Sequence, residues 1–492
     1  MHARLTNNLG TRTSMKPKCW VLAVVCGLLL AATAAAQCVT ALVPVSQPVV
    51  FPSHAAGPIA FTGSLYGVAK LDADPANNAI YFGVYDANLN QIRPDRLIAS
   101  STLAGPRILL WNGTEFALFY ETRNFQITLQ RIDVNGNPVG GPVTIAPQHA
   151  QAFNQEYDAA WDPTRKAYIV LHTVTSGFDM GLWMAVMAAD GTQKSDEPVT
   201  FFVSTPVYPR VAVTPSGVIG IVYSRSVNGG QQELAFSIVT PGAPATAIAT
   251  VRAGGANPRL ATDGRFFFLV YTVPVTGGNT MRSVKYDTAG HVVTADALLV
   301  NGATDALPFS LIANASLSEW ALLYVQYPAG VFNPSVAETR LRRIPFTAGT
   351  TTDIPFVLDS AKRSLAPQSE LTWNGSGYVA SVGRVLSLTE GTESYLARHC
   401  PFTVSIAAST TLTVPLAPIT FTANPSSGAP PYTYVWSFGD ISSPERGQTV
   451  THAFRDIGTY TVTVTATDRD GANTTTSITV TIANLRRRAA KH

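Results

Sequence analysis

The 492-residue chain is poor in charge and in cysteine, and it lacks the short signatures by which a catalytic site is usually read. Charged residues make up only 13%, and the formal net charge is +3. So small an excess gives no reason to expect nucleic acid as a partner. There is no Gly-x-Ser-x-Gly elbow, no His-Glu-x-x-His, no phosphate-binding loop and no Cys-x-x-Cys pair. The eight histidines stand singly. His149, His172, His291 and His399 read as strand or loop residues rather than ligands, so no metal and no cofactor is expected. Between residues 58 and 400 no long 3.6-residue periodicity runs free of Gly and Pro, which argues against a helical solenoid. Past the N-terminal region, no apolar stretch is long enough to span a membrane.

What is present is a repeat. A proline recurs as Pro58, Pro106, Pro209, Pro258, Pro308 and Pro367, about every fifty residues with one unit skipped. A short apolar run follows it, then a tight turn and a second apolar run. The turns read Thr62-Gly63-Ser64, Asn112-Gly113-Thr114, Asp162-Pro163-Thr164, Pro215-Ser216-Gly217, Asp263-Gly264-Arg265, Asn314-Ala315-Ser316 and Asn374-Gly375-Ser376. Asn-Gly between apolar runs is a strong hairpin signal, and Ile127–Ile132 alternates as a half-buried strand does. Short β runs at this period predict an all-β fold, a seven-bladed propeller over 37–402, each blade beginning just after its proline.

Lys16 and Lys18 precede an apolar segment from Trp20 to Leu30, and Ala34-Ala35-Ala36 offers a cleavage site before Gln37. Residues 1–36 therefore read as a signal peptide with a leader, and the protein as secreted, with periplasm or cell surface as further possibilities. Cys19 and Cys26 fall in that leader, which leaves Cys38 and Cys400 at the two ends of the repeat region. The seventh unit lacks a fourth strand, and Val39–Val45 would supply it. A Cys38–Cys400 disulfide would then fasten the ring, two free thiols being the alternative.

After Phe402 the period stops. Tyr434-Val435-Trp436-Ser437-Phe438-Gly439-Asp440 is followed by Thr451-His452-Ala453-Phe454 and by Gly458-Thr459-Tyr460-Thr461-Val462-Thr463-Val464. Tyr460, Val462, Val464 and Ala466 alternate with threonines, as do Ile478, Val480 and Ile482, so each strand has one buried face. In this trio of motifs the segment 403–484 resembles the PKD (polycystic kidney disease) domain, an immunoglobulin-like sandwich. One departure is Ile441, where the family usually has glycine. The resemblance implies a structural Trp436 and His452, and an extracellular spacer or adhesion module without chemistry of its own. Residues 485–492 form a basic tail around Arg486-Arg487-Arg488.

Variable loops on a rigid ring are where binding concentrates. The ligand face is therefore expected on the side of the loops that enter each first strand and join second to third strands. Arg107, Arg210 and Arg259 each follow the recurring proline and are expected around the channel mouth, where they suit a carboxylate or sulfate. The alternative is that each caps its own blade or pairs with a neighbouring acid. Asp72-Ala73-Asp74 with Asn77, and Asp468-Arg469-Asp470 with Asn473, have calcium-like spacing but also the residues of ordinary turns. The leading expectation is a secreted, monomeric, non-catalytic binding or scaffolding protein with a carbohydrate or protein ligand. The rival is a polysaccharide-active hydrolase or lyase, and a third reading is a purely structural part of a cell-surface layer. The Asp-box of sialidases is absent.

Overall fold

The computed structural model describes residues 41–44, 54–72, 78–100, 102, 107–149, 156–174, 180–201, 207–227, 231–241, 249–276, 278–300, 305–327, 338–347, 351–356, 371–387, 391–428, 430–469 and 473–484. The expected signal segment, Cys38 and the basic tail lie outside them, as do residues 73–77 and 470–472 of the calcium-like sets. The described elements are strands except for one short 3-10 turn, Pro147–His149, and no helix among the described residues is long and apolar enough to cross a membrane.

Seven four-stranded antiparallel sheets carry the repeat region. Their first strands are His54–Phe61, Ile108–Trp111, Tyr157–Asp162, Val207–Val213, Ala256–Thr262, Asp305–Asn314 and Leu371–Trp373. Each first strand touches that of the next sheet, and the last touches the first, so the sheets close a ring as propeller blades. We number the blades one to seven in that order. The core lies between blades, because a strand buried on both sides presents apolar residues to both neighbours. Phe116–Glu121 and Ala167–Val174 are buried along their whole lengths. Aromatic pairs bridge the interfaces, with ring centroids 5.3 Å apart for Phe82–Phe116, 5.7 Å for Phe119–Tyr168 and 5.1 Å for Phe268–Trp320.

Four of the recurring prolines, Pro58, Pro209, Pro258 and Pro308, sit inside their strands rather than ahead of them, whereas Pro106 and Pro367 lie outside the described residues. The ladders shift register between Ala56 and Ile59, Val207 and Arg210, Ala256 and Arg259, and Pro308 and Ser310. Each shift is a bulge at a proline. The first strand is an edge that faces the channel, so a missing N–H and an unpaired residue are tolerated there. Tyr208 and Asn257, just before two of these prolines, take left-handed backbone angles (φ 56° and 49°).

The first turns behave as their residues demand. Asn112 Oδ1 accepts from the amides of Thr114 and Glu115, and Asn374 Oδ1 does the same for Ser376 and Gly377. Gly113 and Gly375 supply the positive φ these turns need. The spare Asn nitrogens reach into the next blade, where Asn112 donates to Tyr168 and Asn314 to Tyr378, both at 2.8 Å. Turn and packing chemistry therefore occupies Asn112 and Asn314, although each heads an Asn-x-Ser/Thr triplet of the kind that accepts a glycan.

Blade seven is completed from the N-terminal side. Ala41–Pro44 pairs antiparallel with Gly391–His399, Ala41 opposite Arg398 and Pro44 opposite Tyr395. Cys400, which follows that strand, is buried.

Residues 403–482 form a sandwich of a three-stranded and a five-stranded sheet. Trp436 is fully buried among Phe421, Phe438, Val464 and Val480, and its indole N–H donates to Gly447 O at 2.8 Å. His452 stacks on Phe438 (3.8 Å, 6°) and pairs with Asp440 at 2.8 Å. Gly439 carries the positive φ of this corner, and a Cβ there would come 2.7 Å from Thr461 O. Ile441, by contrast, is fully exposed, which explains why a side chain is tolerated where the family favours glycine.

Candidate functional site

First strands begin, and second strands end, at the same end of each sheet. The register shows this in Tyr157 opposite His172, Val207 opposite Ser224 and Asp305 opposite Tyr327. On this end, blades two to five place a contiguous arc of polar side chains. Counting back from the turn-capping residues Asp162, Thr214 and Asp263 puts Asp158, Arg210 and Arg259 at one equivalent position, four residues before each cap. Ile108 fills that position in blade two, so Arg107 lies one residue further out and is exposed. Two of the three expected arginines are thus in register, and the third is not. Six residues separate Pro106 from its cap Asn112, against five from Pro209 to Thr214 and from Pro258 to Asp263, so equal distance from a proline does not guarantee equal register.

Arg107 lies over the Tyr157 ring, its guanidinium carbon 5.0 Å from the centroid. Arg210 donates to the carbonyl of its own Pro209 at 2.6 Å. Arg259 donates to Pro258 O at 2.8 Å and to Phe309 O of the next blade at 2.5 Å. Those carbonyls hold the two guanidinium forks in place. Blade three also stitches to blade four through its carboxylates. Glu156 accepts from Tyr208 N (3.0 Å) and Asp158 from Val211 N (2.8 Å), across the bulge at Pro209.

The electrostatics of the arc are perturbed. Burial pushes the Asp158 carboxyl up from its ordinary range, against the pull of Arg210, the Val211 and Ala159 amides, and Arg259. Burial likewise raises Glu121, which ends the second strand of blade two, and Arg107 opposes it. Tyr157 is also raised by burial, with Arg107 opposing and Glu121 and Asp158 adding to the rise. Glu121 Oε1 and Tyr157 Oη are buried without hydrogen-bond partners. An unpaired acceptor and an unpaired phenol beneath an exposed guanidinium are chemistry left available. The first-strand pattern gave no hint of Glu121, because it belongs to the second strand and meets Arg107 only through the fold.

A second polar series lies deeper in the blades. The sixth residue of the second strand bonds an aspartate of the fourth strand in four blades: Lys70 with Asp95 (2.5 Å), His172 with Asp196 (2.8 Å), Tyr271 with Asp296 (2.7 Å) and Tyr324 with Asp353 (2.7 Å). In blade three His149 joins, its Nδ1 3.1 Å from Asp196. His149 and His172 are therefore not the isolated strand or loop residues expected from the sequence, where nothing marks positions this far apart as neighbours.

A PKD-domain family model matches residues 401–482, and that segment is a PKD domain. Among curated proteins none matches the chain. Among solved structures, the chain is similar to the β-propeller domain of the Trilobed protease from Pyrococcus furiosus, at 10% identity over 70% of this chain and 95% of that one (TM-score 0.44). It is similar to a Hadza microbial sialidase at 11% identity, over 65% of this chain and 73% of that one (TM-score 0.43). It is also similar to AofleA from Arthrobotrys oligospora at 14% identity, over 62% of this chain and 86% of that one (TM-score 0.39).

Proposed function

We propose that the chain is a secreted, non-catalytic binding protein. Its ring of seven blades, residues 37–402, takes an acidic group of an extracellular carbohydrate or protein ligand at the arc of blades two to five. The PKD domain, 403–484, serves as spacer or interaction module, in keeping with a family typical of extracellular proteins. The observation that carries the reading is Arg107, exposed above a buried Tyr157 hydroxyl and Glu121 oxygen that have no partners of their own. Arg210 and Arg259, each fixed by main-chain carbonyls, add planar donors suited to carboxylate or sulfate without an ordering cost at binding. A Cys38–Cys400 bridge fits the same reading, since the register from Pro44 back to Ala41 runs toward Cys400. The test is an array of neutral and acidic oligosaccharides and acidic peptides. Acidic members should be retained and their neutral counterparts released, and retention of neutral members alone would refute the proposal.

A second reading, a polysaccharide hydrolase or lyase, is favoured by one observation. Glu121 and Asp158 are both held toward the protonated form, as a general acid requires. Array ligands incubated with the wild-type chain would then be cleaved, and Glu121→Gln would bind them without cleaving. Ligands recovered intact would rule this reading out.

A further inference from the structure

We propose that His149, His172 and Asp196 form a site for one borderline divalent transition metal, with zinc as the probe. The three residues offer two imidazole nitrogens and a carboxylate oxygen, all within 4.8 Å of one another. Their side chains are 7%, 0% and 2% exposed. The polar contacts of Asp196 are His172 Nε2 at 2.8 Å, His149 Nδ1 at 3.1 Å and Gln148 Nε2 at 2.5 Å. Two nitrogens and one oxygen are the donor set of open zinc sites and of two-histidine, one-carboxylate centres. Ligand atoms around a tetrahedral zinc at about 2.0–2.1 Å stand roughly 3.3 Å apart, so small side-chain shifts would admit the ion.

Comparison among the blades argues against a purely structural triad. In blades five and six the aspartate of the fourth strand is held by a tyrosine, which leaves the hydroxyl paired. In blade three the same place holds a histidine whose other nitrogen, Nδ1, is buried with no hydrogen-bond partner. A tyrosine suffices to hold the aspartate in those blades but is a poor ligand for a borderline metal, whereas His172 turns an imidazole nitrogen, Nε2, toward Asp196. The second imidazole has its own arrangement. The Pro147–His149 turn closes on Ala146 O through the His149 amide. Gln193 Oε1, from the strand that carries Asp196, accepts from Ala146 N at 2.9 Å. Trp183, on the third strand, packs against the His149 ring at 4.3 Å. Three separate segments are thereby fixed so that their donors converge. Pro147 and Gln148 are exposed, which gives an ion a way in.

The proposal concerns the interior of blade three and does not depend on what the channel mouth binds. The experiment uses untagged full-length chain, stripped with chelator, dialysed and titrated with zinc by calorimetry. Cobalt binding is followed in parallel by its visible spectrum. The expected result is one zinc per chain, with an intense tetrahedral-type cobalt spectrum. His149→Gln and Asp196→Asn, each confirmed folded by circular dichroism, should weaken zinc by more than the 10–100-fold typical of outer-shell changes. Should Asp196→Asn fail to fold, His149→Gln, altered in a surface turn, decides alone. No zinc uptake by the folded wild-type chain at millimolar metal would overturn the proposal. So would uptake that the variants leave unchanged.

Discussion

His399 should make the ring acid-labile. It ends the strand of blade seven that pairs with Ala41–Pro44, its Nδ1 is buried without a partner, and it lies near Arg343. Burial, aided by Arg343, lowers its pKa from 6.5 to about 4. A base with a depressed pKa takes up its proton in the unfolded chain first. Its neutral form therefore contributes full stability above pH 6.5, which is lost as pH falls toward 4. At about 1.36 kcal/mol per pH unit, the loss is about 3 kcal/mol over that window. His399→Gln removes the proton-binding group while keeping a polar side chain of similar reach. Urea unfolding of both proteins at several pH values, followed by fluorescence of the ring tryptophans, should show the variant losing less stability on acidification by about that amount. A direct check is the histidine ε1 NMR resonance that disappears in the variant, which should titrate near pH 4 in the wild type. Parallel stability curves between pH 4 and 6.5, or a midpoint near 6.5, would refute the reasoning.

Three further outcomes follow from the same geometry. Glu121→Gln should raise stability at neutral pH by about 1 kcal/mol, because a buried carboxylate oxygen without a partner is costly. The raised pKa fixes the sign: Glu121 contributes most below the ordinary carboxyl range and loses that as pH rises, so the advantage of the variant should vanish in acid. Thermal denaturation at pH 7 and in acid checks both halves. Cys400→Ala should lower ring stability by up to about 5 kcal/mol if the bridge to Cys38 exists, and thiol titration of secreted protein should then find no free cysteine. Trp436→Ala should unfold the PKD domain, costing about 3–5 kcal/mol plus the bond to Gly447 O, while the ring's transition stays put in calorimetry.

How much of this was legible in the sequence depends on the range of the interaction. The Asn112 and Asn374 turns and the Trp436 core position are local, and the residues state them directly, whereas Ile127–Ile132, expected to be half-buried, buries Thr128 and Gln130 as well because blades pack on both of its faces. The prolines announced the repeat, but at Pro58, Pro209, Pro258 and Pro308 they misplaced the strand starts, since an edge strand accepts a proline at a bulge and continues. Arg107 is out of register because one more residue separates Pro106 from its cap than in blades four and five, and Asp158 was hidden because its unit has no recurring proline to count from. Glu121 and the His149–His172–Asp196 cluster were invisible for a different reason. Each is assembled from strands or turns that pair across a blade, and no spacing in a single chain encodes which side chains will face each other.

The central claim is that the arc of blades two to five is the binding site. It is tested most directly by titrating the best acidic array ligand into the wild-type chain and into a variant carrying Arg107→Ala, Arg210→Ala and Arg259→Ala. The account predicts saturable binding to the wild type that weakens with salt and is abolished in the variant, with nearly the same melting transition in both. Equal affinity in a folded variant, or no acidic ligand bound by the wild type, would contradict it.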